Sequence, residues 1–272
     1  MDDMRRSAVH TATTKPWDLE TAVRKYADAG IAGISVWKEA LEGRDSKKAG
    51  AMIRSAGLTA VSLVRGGFFP SADAGIRQQR IRDNERLIRT AAELGAPLVV
   101  LVCGADPKVR IADARRHVEE GIEAILPLAE AEGVKLAIEP LHPMYAGDRS
   151  VINTLAEANG LCERLHSTSL GVAVDVYHVW WDPDLEAQIA RAGRLGALFA
   201  FHVCDWKTPV LDMLEDRGLM GEGCVDIPRM RGWVEAAGFK GFVEVEIFSK
   251  RFWAMDQDEY LGMILGALRE HV

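Results

Sequence analysis

The stretch Val134-Lys135-Leu136-Ala137-Ile138-Glu139-Pro140 decides the fold, because it joins a short apolar run to a carboxylate and a proline. Helical patterns lie on both sides of it, at 113–132 and 154–165. Apolar runs that alternate with amphipathic helices are typical of parallel strands joined by helical crossovers. We therefore interpret this stretch as one strand of a parallel sheet that ends on a polar group.

The same alternation continues along the 272 residues and gives eight such units. This length matches the roughly 250 residues of one α/β barrel, and no Pro-, Ser- or Gly-rich linker separates a second domain. An open doubly wound sheet usually carries a Gly-rich phosphate turn after an early strand, and residues 10–14 have none. We predict an α/β fold, a (β/α)8 TIM barrel, formed as a single domain by residues 1–272.

Boundaries follow from the apolar runs and from glycines that stand where a left-handed helix cap is wanted. The predicted strands are 7–10, 33–37, 59–64, 98–103, 135–139, 171–175, 198–203 and 242–247. The predicted helices are 18–29, 47–56, 76–94, 113–132, 154–165, 185–192, 228–237 and 259–270. The predicted cap glycines are Gly30, Gly57, Gly95, Gly133, Gly193 and Gly238.

Composition and charge restrict the classes of function. With 48% hydrophobic and 27% charged residues, the chain can bury a core without disulfides. Its net charge of −7 repels phosphate backbones and anionic lipids, so we expect neither nucleic acid nor a membrane as a partner. The four cysteines have no C-x-x-C spacing, which argues against a zinc ribbon or a disulfide framework. Without an apolar leader or membrane-spanning run, we expect a cytoplasmic protein.

Polar side chains interrupt four predicted strands near their carboxyl ends, where the chemistry of such barrels takes place. They are Glu139, Asp175, His202 and Glu246. Three acidic groups in one confined mouth repel each other unless a cation neutralises them. A divalent metal is the simplest solution. Three carboxylates and one imidazole favour Mn²⁺, with Mg²⁺ and Co²⁺ as alternatives, over a thiolate-type zinc site.

Glu244 and Glu246 lie on the same face of the last predicted strand, because side chains alternate with a period of two. Depth along the strand favours Glu246 as the metal ligand. For Glu244, nearer the barrel bottom, the alternative role is a buried ion pair with Lys135 or another basic group.

Four segments carry a resemblance to a known family, and each contains one of the four polar strand-end residues together with its neighbours. They are Ile138-Glu139-Pro140-Leu141-His142-Pro143, Asp175-Val176-Tyr177-His178, Phe201-His202-Val203-Cys204-Asp205 and Val245-Glu246-Ile247-Phe248. In these segments, and over nearly its whole length, the chain resembles the xylose isomerase-like TIM barrels. That superfamily of sugar phosphate isomerases and epimerases includes ketose 3-epimerases and inosose-processing enzymes. In order and strand position, Glu139, Asp175, His202 and Glu246 match its metal quartet.

The resemblance implies a metal-dependent sugar isomerase or epimerase that removes a proton next to a carbonyl and passes through a metal-stabilised enediolate. In related epimerases the two glutamates bind the metal and exchange protons with the substrate, which implies these roles for Glu139 and Glu246. The D-x-x-H spacing implies that His178 contacts substrate oxygens.

Arg217 matches an arginine that often follows strand seven in this family, and a G-x-G turn, Gly221-Glu222-Gly223, comes after it. The spacing departs from the family pattern, because a longer insertion at 208–215 separates Arg217 from His202. A substrate ligand and a cation of a surface loop both remain open for Arg217.

Further groups near the predicted mouth are candidates for binding a sugar. His10 and His142 lie at predicted strand ends and could bond sugar hydroxyls, with a structural role as the alternative. Trp37 and Trp181 are the predicted substrate walls, since aromatic rings cover the apolar faces of sugars, with loop packing or a dimer contact as the alternative. We expect a small unphosphorylated sugar or cyclitol as substrate and leave a homodimer open.

Three other functions compete with this interpretation. A metal-dependent lyase, hydratase or deglycosidase acting on 3-keto-sugars or 3-keto-glycosides would use the same proton abstraction, and the aromatic mouth would suit a bulky glycoside. An apurinic-site endonuclease needs a multi-metal cluster and a cationic face, which a net charge of −7 disfavours. A non-catalytic barrel would not need the acidic set.

Overall fold

The computed structural model describes residues 3–272, in which eight parallel strands form one closed barrel. Neighbouring strands follow chain order, and the sheet closes where Ala8 of the first strand lies opposite Glu244 of the last. The predicted (β/α)8 barrel is therefore confirmed. The strands are β1 (Ser7–His10), β2 (Gly33–Trp37), β3 (Thr59–Gly67), β4 (Leu98–Val102), β5 (Lys135–Glu139), β6 (Leu170–Asp175), β7 (Leu198–Val203) and β8 (Val243–Val245).

Helices connect the strands, and most begin after an Asp or Thr whose side chain accepts a hydrogen bond from a first-turn N–H, as in the capping box of Thr154 and Glu157. Among the described residues, no helix is both long and apolar enough to cross a bilayer. The α-helices are α1 (Leu19–Asp28), α2 (Ser46–Ser55), α3 (Ala74–Leu94), α4 (Ile111–Glu132), α5 (Leu155–Leu165), α6 (Val176–Val179), α7 (Leu185–Arg194), α8 (Ile227–Ala236), α9 (Lys250–Trp253) and α10 (Gln257–His271). Short 3₁₀ helices span Asp3–Arg6, Lys38–Leu41 and Pro143–Tyr145.

Strands β3 and β8 differ in length from the prediction. β3 continues to Gly67, which still pairs with Val102 of β4, and the ladder shifts register around Arg65 in a β-bulge. β8 is shorter than predicted, because the N–H of Ile247 donates to the hydroxyl of Thr13 (3.1 Å) instead of to a neighbouring strand. The bulge and the early end of β8 both lie at the rim that carries the predicted site.

Gly193 is not the predicted helix cap. It lies inside α7, and the left-handed turn after this helix falls at Gly196, with φ of 64°. A Cβ on Gly193 would lie 2.3 Å from the backbone oxygen of Ala237. The glycine is therefore needed for the close approach of α7 to the end of α8, and not for a change of chain direction.

The barrel interior below the mouth is filled by small and medium-sized side chains. Ala137 lies two residues before Glu139 on β5, so both side chains point to the same inward face. Such layers fill the barrel and leave its upper end to polar groups. The interior cluster consists of Val64, Leu98, Val100, Ala137, Ala173 and Ala200.

Two helical glycines with opposite surroundings test the outer packing layer. A Cβ on Gly121 of α4 would lie 2.2 Å from the ring of Phe69, whereas one on Gly262 of α10 would meet nothing within 4 Å. We expect Gly121→Ala to lower the free energy of unfolding by about 1–3 kcal/mol through overpacking. Gly262→Ala should raise it by roughly 0.5–1 kcal/mol, because alanine loses less backbone entropy in a helix. Urea unfolding measures both, and equal effects would contradict this packing.

Candidate metal centre and active site

Four polar side chains, the quartet, meet at the carboxyl ends of β5 to β8. Glu139 and Asp175 are the last residues of β5 and β6. His202 lies in β7, and Glu246 directly follows β8. One ligand atom of each lies within 4.8 Å of the others, and all four side chains are buried. Parallel strands of a barrel end at one rim, so residues distant in sequence come together there.

The donor set of the quartet fits a divalent cation. Nδ1 of His202 lies 2.9 Å from Oε1 of Glu139 and 3.9 Å from Oε2 of Glu246. Ligands about 2.1 Å from one ion lie roughly 3 to 4 Å apart, so these spacings suit a shared ion. Carboxylates with an imidazole are ligands that Mn²⁺, Mg²⁺ and Zn²⁺ accept in proteins.

Arg217 supplies positive charge to the quartet. Its Nη1 donates to Asp175 (2.8 Å) and Glu246 (3.0 Å), and its Nη2 lies 3.1 Å from Nε2 of His178. Because a guanidinium only donates, the ring nitrogen of His178 is the acceptor. Burial and the charge of Arg217 hold the pKa of His178 well below its ordinary value, so this imidazole is neutral. Arg217 is a buried residue of the site and not a surface cation.

The loop after β7 that carries Arg217 is organised around Asp205. The carboxylate of Asp205 accepts a hydrogen bond from the N–H of Gly221 (2.9 Å), and its backbone pairs with Gly218. The N–H of Arg217 donates to the backbone oxygen of Phe248 (2.9 Å). These bonds return the chain to the barrel mouth, so the longer insertion before Arg217 does not move this side chain out of the site.

Glu244 lies beneath the quartet among hydroxyl and imidazole groups. Its Oε2 accepts a hydrogen bond from Ser35 (2.5 Å) and lies 3.3 Å from Nε2 of His10 and 3.7 Å from Nε2 of His202. The suggested pairing with Lys135 is wrong, because Lys135 begins β5 at the opposite end of the barrel. Glu244 holds the far side of both imidazoles, an arrangement that fixes ring orientation at metal sites.

Charges in this cluster shift one another's titration. Burial alone lowers the pKa of His202, but the surrounding carboxylates, led by Glu244, raise it to about 10. Burial likewise opposes ionisation of Glu246, yet its contacts with His10 and Arg217 hold its pKa well below the ordinary value. Protonated imidazole and guanidinium thus balance the buried carboxylates, which is the effect that a bound divalent ion would also have.

A cavity of about 190 Å³, the metal-side cavity, opens above the quartet. A second one of about 420 Å³, the adjoining cavity, shares Lys15, Trp37 and Phe248 with it. Five of the residues singled out from the sequence line the metal-side cavity. They are Trp37, Glu139, His178, Arg217 and Glu246.

Three residues predicted to bind substrate do not line the metal-side cavity. His10 is fully buried, with Nδ1 at 3.0 Å from Oε1 of Glu246. The ring of His142 packs edge-on against Trp181, with the centroids 5.8 Å apart. Nε1 of Trp181 donates to the backbone oxygen of His178 (2.8 Å). His10 thus contacts a member of the quartet, and Trp181 is bonded to the backbone of His178, so these two support residues of the site.

Several residues that line the metal-side cavity escaped the sequence reasoning, notably Arg65, Tyr145 and Phe248. Arg65 carried a usable signal, because a lone charge directly follows an apolar strand and precedes Gly66-Gly67. Phe248 lies just past the last predicted strand, two residues after Glu246. Tyr145 lies in a 3₁₀ helix of a loop, and no local pattern marks it.

Comparisons with known proteins place this geometry in a wider group. A family model described as xylose isomerase-like TIM barrel matches residues 23–270. An inosose isomerase of Halalkalibacterium halodurans is 24% identical over 71% of this chain and 67% of its own length. The crystal structure of protein SMc04130 from Sinorhizobium meliloti 1021 is 47% identical, with a TM-score of 0.94 and 97% of each chain covered. That of the IOLI protein with a bound zinc atom is 19% identical, with a TM-score of 0.85 over 97% of this chain and 96% of that one.

We expect a divalent metal to stabilise the protein through the quartet. In chelator-treated protein, Mn²⁺ at about 100 times its dissociation constant should raise the free energy of unfolding by about 2.7 kcal/mol. Glu246→Gln should weaken Mn²⁺ binding in calorimetric titration, because it removes a charged ligand. Glu215→Gln is the matched control, since Glu215 lines the same cavity but pairs with Lys250 (2.9 Å). Equal Mn²⁺ affinities of the two variants would contradict the site.

Arg217 and the metal should compensate for each other. In chelator-treated protein we expect Arg217→Met to lower the free energy of unfolding by about 3–5 kcal/mol, because Asp175 and Glu246 then lack a buried cation. Saturating Mn²⁺ should reduce this loss. Arg149→Met, which removes a cation that lines the same cavity and pairs with Asp148 (3.8 Å), should cost under about 1 kcal/mol in both states. Urea unfolding is the measurement. If Arg217→Met lowers the free energy of unfolding equally with and without Mn²⁺, the idea is refuted.

Proposed function

The chain belongs to the xylose isomerase-like TIM barrel family, and from that premise we propose that it is a divalent-metal-dependent isomerase or epimerase of a sugar or cyclitol. The observation that carries the proposal is the buried quartet, whose ligand atoms lie within 4.8 Å of one another beneath an open cavity. The name of the inosose isomerase relative supports a sugar-like substrate. The reaction moves a proton on the carbon next to a carbonyl group.

Glu139, Asp175, His202 and Glu246 would hold the ion. Asp175 and His202 do not line the metal-side cavity, so they would serve as ligands only. A divalent ion bound there supplies Lewis-acid polarisation of the substrate carbonyl. Mn²⁺ is our preferred ion on the ligand chemistry, and the zinc in the IOLI crystal structure makes Zn²⁺ the first alternative to test.

Glu139 and Glu246 would exchange the protons. Both line the metal-side cavity, and they come from strands that are not neighbours in the barrel, so they reach the cavity from different directions. If they face opposite sides of the substrate carbon, one removes the proton, which leaves an enediolate, and the other returns a proton to the opposite face. This arrangement inverts the stereocentre.

His178 and Arg217 would orient the substrate oxygens. Both side chains line the cavity, and the bond between them (3.1 Å) fixes the ring of His178. Arg217 also keeps Glu246 ionised, as a proton acceptor must be. The rings of Trp37 and Phe248, in edge contact at 4.9 Å, form an apolar wall that can cover a sugar face and exclude water.

A second candidate function is a lyase or deglycosidase acting on 3-keto-sugars or 3-keto-glycosides. The adjoining cavity of about 420 Å³ favours it, because it shares Trp37 and Phe248 with the metal-side cavity and could take a second ring. The first step would be the same proton removal, followed by loss of a substituent from the next carbon.

Deuterium exchange tests the proposed reaction. Mn²⁺-loaded protein in D₂O with free ketoses, inososes and 3-keto-glycosides should place deuterium on the carbon beside the carbonyl, as followed by NMR. We expect Glu139→Gln and Glu246→Gln, each with metal content measured, to slow epimer interconversion by about 10²–10⁴-fold. Each should still exchange the epimer whose proton faces the remaining carboxylate.

Glu215→Gln serves as the control in this experiment and should keep the wild-type exchange rate. Loss of a substituent from a 3-keto-glycoside would move the assignment to the lyase. Epimerisation at the wild-type rate in either glutamate variant would remove that residue from the mechanism. Absence of exchange from metal-loaded protein with every member of the panel would count against a sugar isomerase of these classes.

A further inference from the structure

Arg65 is a half-buried cation in the metal-side cavity, and within residues 3–272 it has no hydrogen-bonded or ion-paired partner. It lines the cavity together with Glu139 and Glu246. Its Nε is buried, and within residues 3–272 no oxygen accepts a hydrogen bond from any of its N–H groups. No carboxylate of the described chain lies within ion-pair distance of it either. A guanidinium held in this way retains five unused donors in a fork that suits carboxylate or phosphate oxygens.

The backbone around Arg65 is built to direct this side chain. The β3–β4 ladder shifts register between Val64 and Gly66, so Arg65 is the bulged residue. Gly67 has φ of 99°, and a Cβ on it would lie 2.0 Å from a backbone oxygen of β4. The buried side chain of Asn84 accepts a hydrogen bond from the N–H of Gly67 (2.6 Å) and donates to its oxygen (2.9 Å). Bulges next to active sites commonly re-aim one side chain in this way.

Aromatic rings then frame the guanidinium. Its Cζ lies 5.5 Å from the ring centroid of Trp37 and 4.9 Å from that of Phe68. Such rings stabilise a cation without using its N–H donors, which leaves those donors free for a ligand. The frame also limits the rotamers of Arg65, so little conformational entropy is lost when a ligand binds.

The other cations that line the metal-side cavity are already accounted for. Arg217 bonds two carboxylates of the quartet, and Arg149 pairs with Asp148. Lys15 also has no ion pair in the described part of the chain, but it is exposed and therefore solvated. Glu39, Glu246 and Glu139 attract Arg65 only from beyond ion-pair distance, so its N–H donors remain available to a ligand.

We propose that Arg65 binds an anionic substituent of the substrate, a carboxylate or a phosphate group. This inference rests on the proposed function for the sugar-like nature of the ligand and adds that the sugar is acidic. It departs from the expectation of an uncharged substrate, since the buried Nε–H has no acceptor within residues 3–272 and an anionic group in the cavity could accept hydrogen bonds from this guanidinium. Arg65 is thus a specificity-determining residue.

Calorimetric titration of the Mn²⁺-loaded protein tests the assignment with pairs of ligands that differ in one acidic group. The pairs are D-glucose with D-glucuronate, and D-fructose with D-fructose 6-phosphate. We expect at least one acid to bind about ten- to hundredfold more tightly than its neutral partner. The pair that shows this gain identifies carboxylate or phosphate as the group.

Arg65→Gln should remove that gain and leave the affinity for Mn²⁺ within about threefold of wild type. Arg65→Lys should keep part of it, because the charge remains while the fork is lost. The control is Arg44→Gln, which removes the same charge from the adjoining cavity, where Arg44 is bonded to Glu20 (2.6 Å). This control should keep the full gain, and thermal melting checks that all variants fold.

An equal affinity of the wild-type protein for acid and neutral partner, including no detectable binding of either in both pairs, would overturn the assignment. A gain that survives in Arg65→Gln would overturn it as well, since the metal or another group would then bind the acid. This binding test and the deuterium-exchange test can fail independently of each other. Deuterium exchange without acid preference contradicts the role of Arg65, whereas acid preference without exchange contradicts the proposed chemistry.

Discussion

Mutual repulsion of the carboxylates buried in one barrel mouth is the constraint on which the rest of the site depends. Burial, together with the charges of Glu139 and Glu246, raises the pKa of Asp175 to about 7. Arg217 opposes this with hydrogen bonds to Asp175 and Glu246, and contacts with His10 and Arg217 hold the pKa of Glu246 well below its ordinary value. These hydrogen bonds hold the carboxyl groups close together, and a divalent ion would supply the further positive charge that favours their ionised form.

The layers below and around the mouth follow from the same constraint. Ser35 and Glu244 occupy the space beneath the imidazoles, so that the buried polar groups bond one another instead of facing alkyl side chains. Below them, small residues such as Ala137 let the barrel close tightly. The loop anchored by Asp205 covers the other side and brings Arg217 inward. The need to pair the buried polar groups of the mouth thus restricts which residues can occupy the neighbouring strands and loops.

Arg65 shows the opposite balance. Every charge of the quartet has a partner within the protein, whereas the Arg65 guanidinium is framed by Trp37 and Phe68 and forms no hydrogen bond with any residue of 3–272. A bulge, two close-packed glycines and the buried Asn84 fix the backbone that carries Arg65. In the proposed function, the paired charges of the quartet perform the reaction, and the charge of Arg65 recognises the substrate.

The sequence by itself determined the eight βα units and the four polar strand ends, because apolar periodicity and helix caps are local properties. It also determined that Glu139 and Glu246 meet, since closure of a barrel brings its strand ends to one rim. Only the tertiary structure decided which other polar groups reach the cavity. His10 and His142 contact other protein side chains instead. Arg65 reaches the cavity because a bulge shifts the side-chain alternation of β3 by one residue, and Asn84 of α3 holds that bulge in place. Such contacts between distant segments leave no periodic pattern in the sequence.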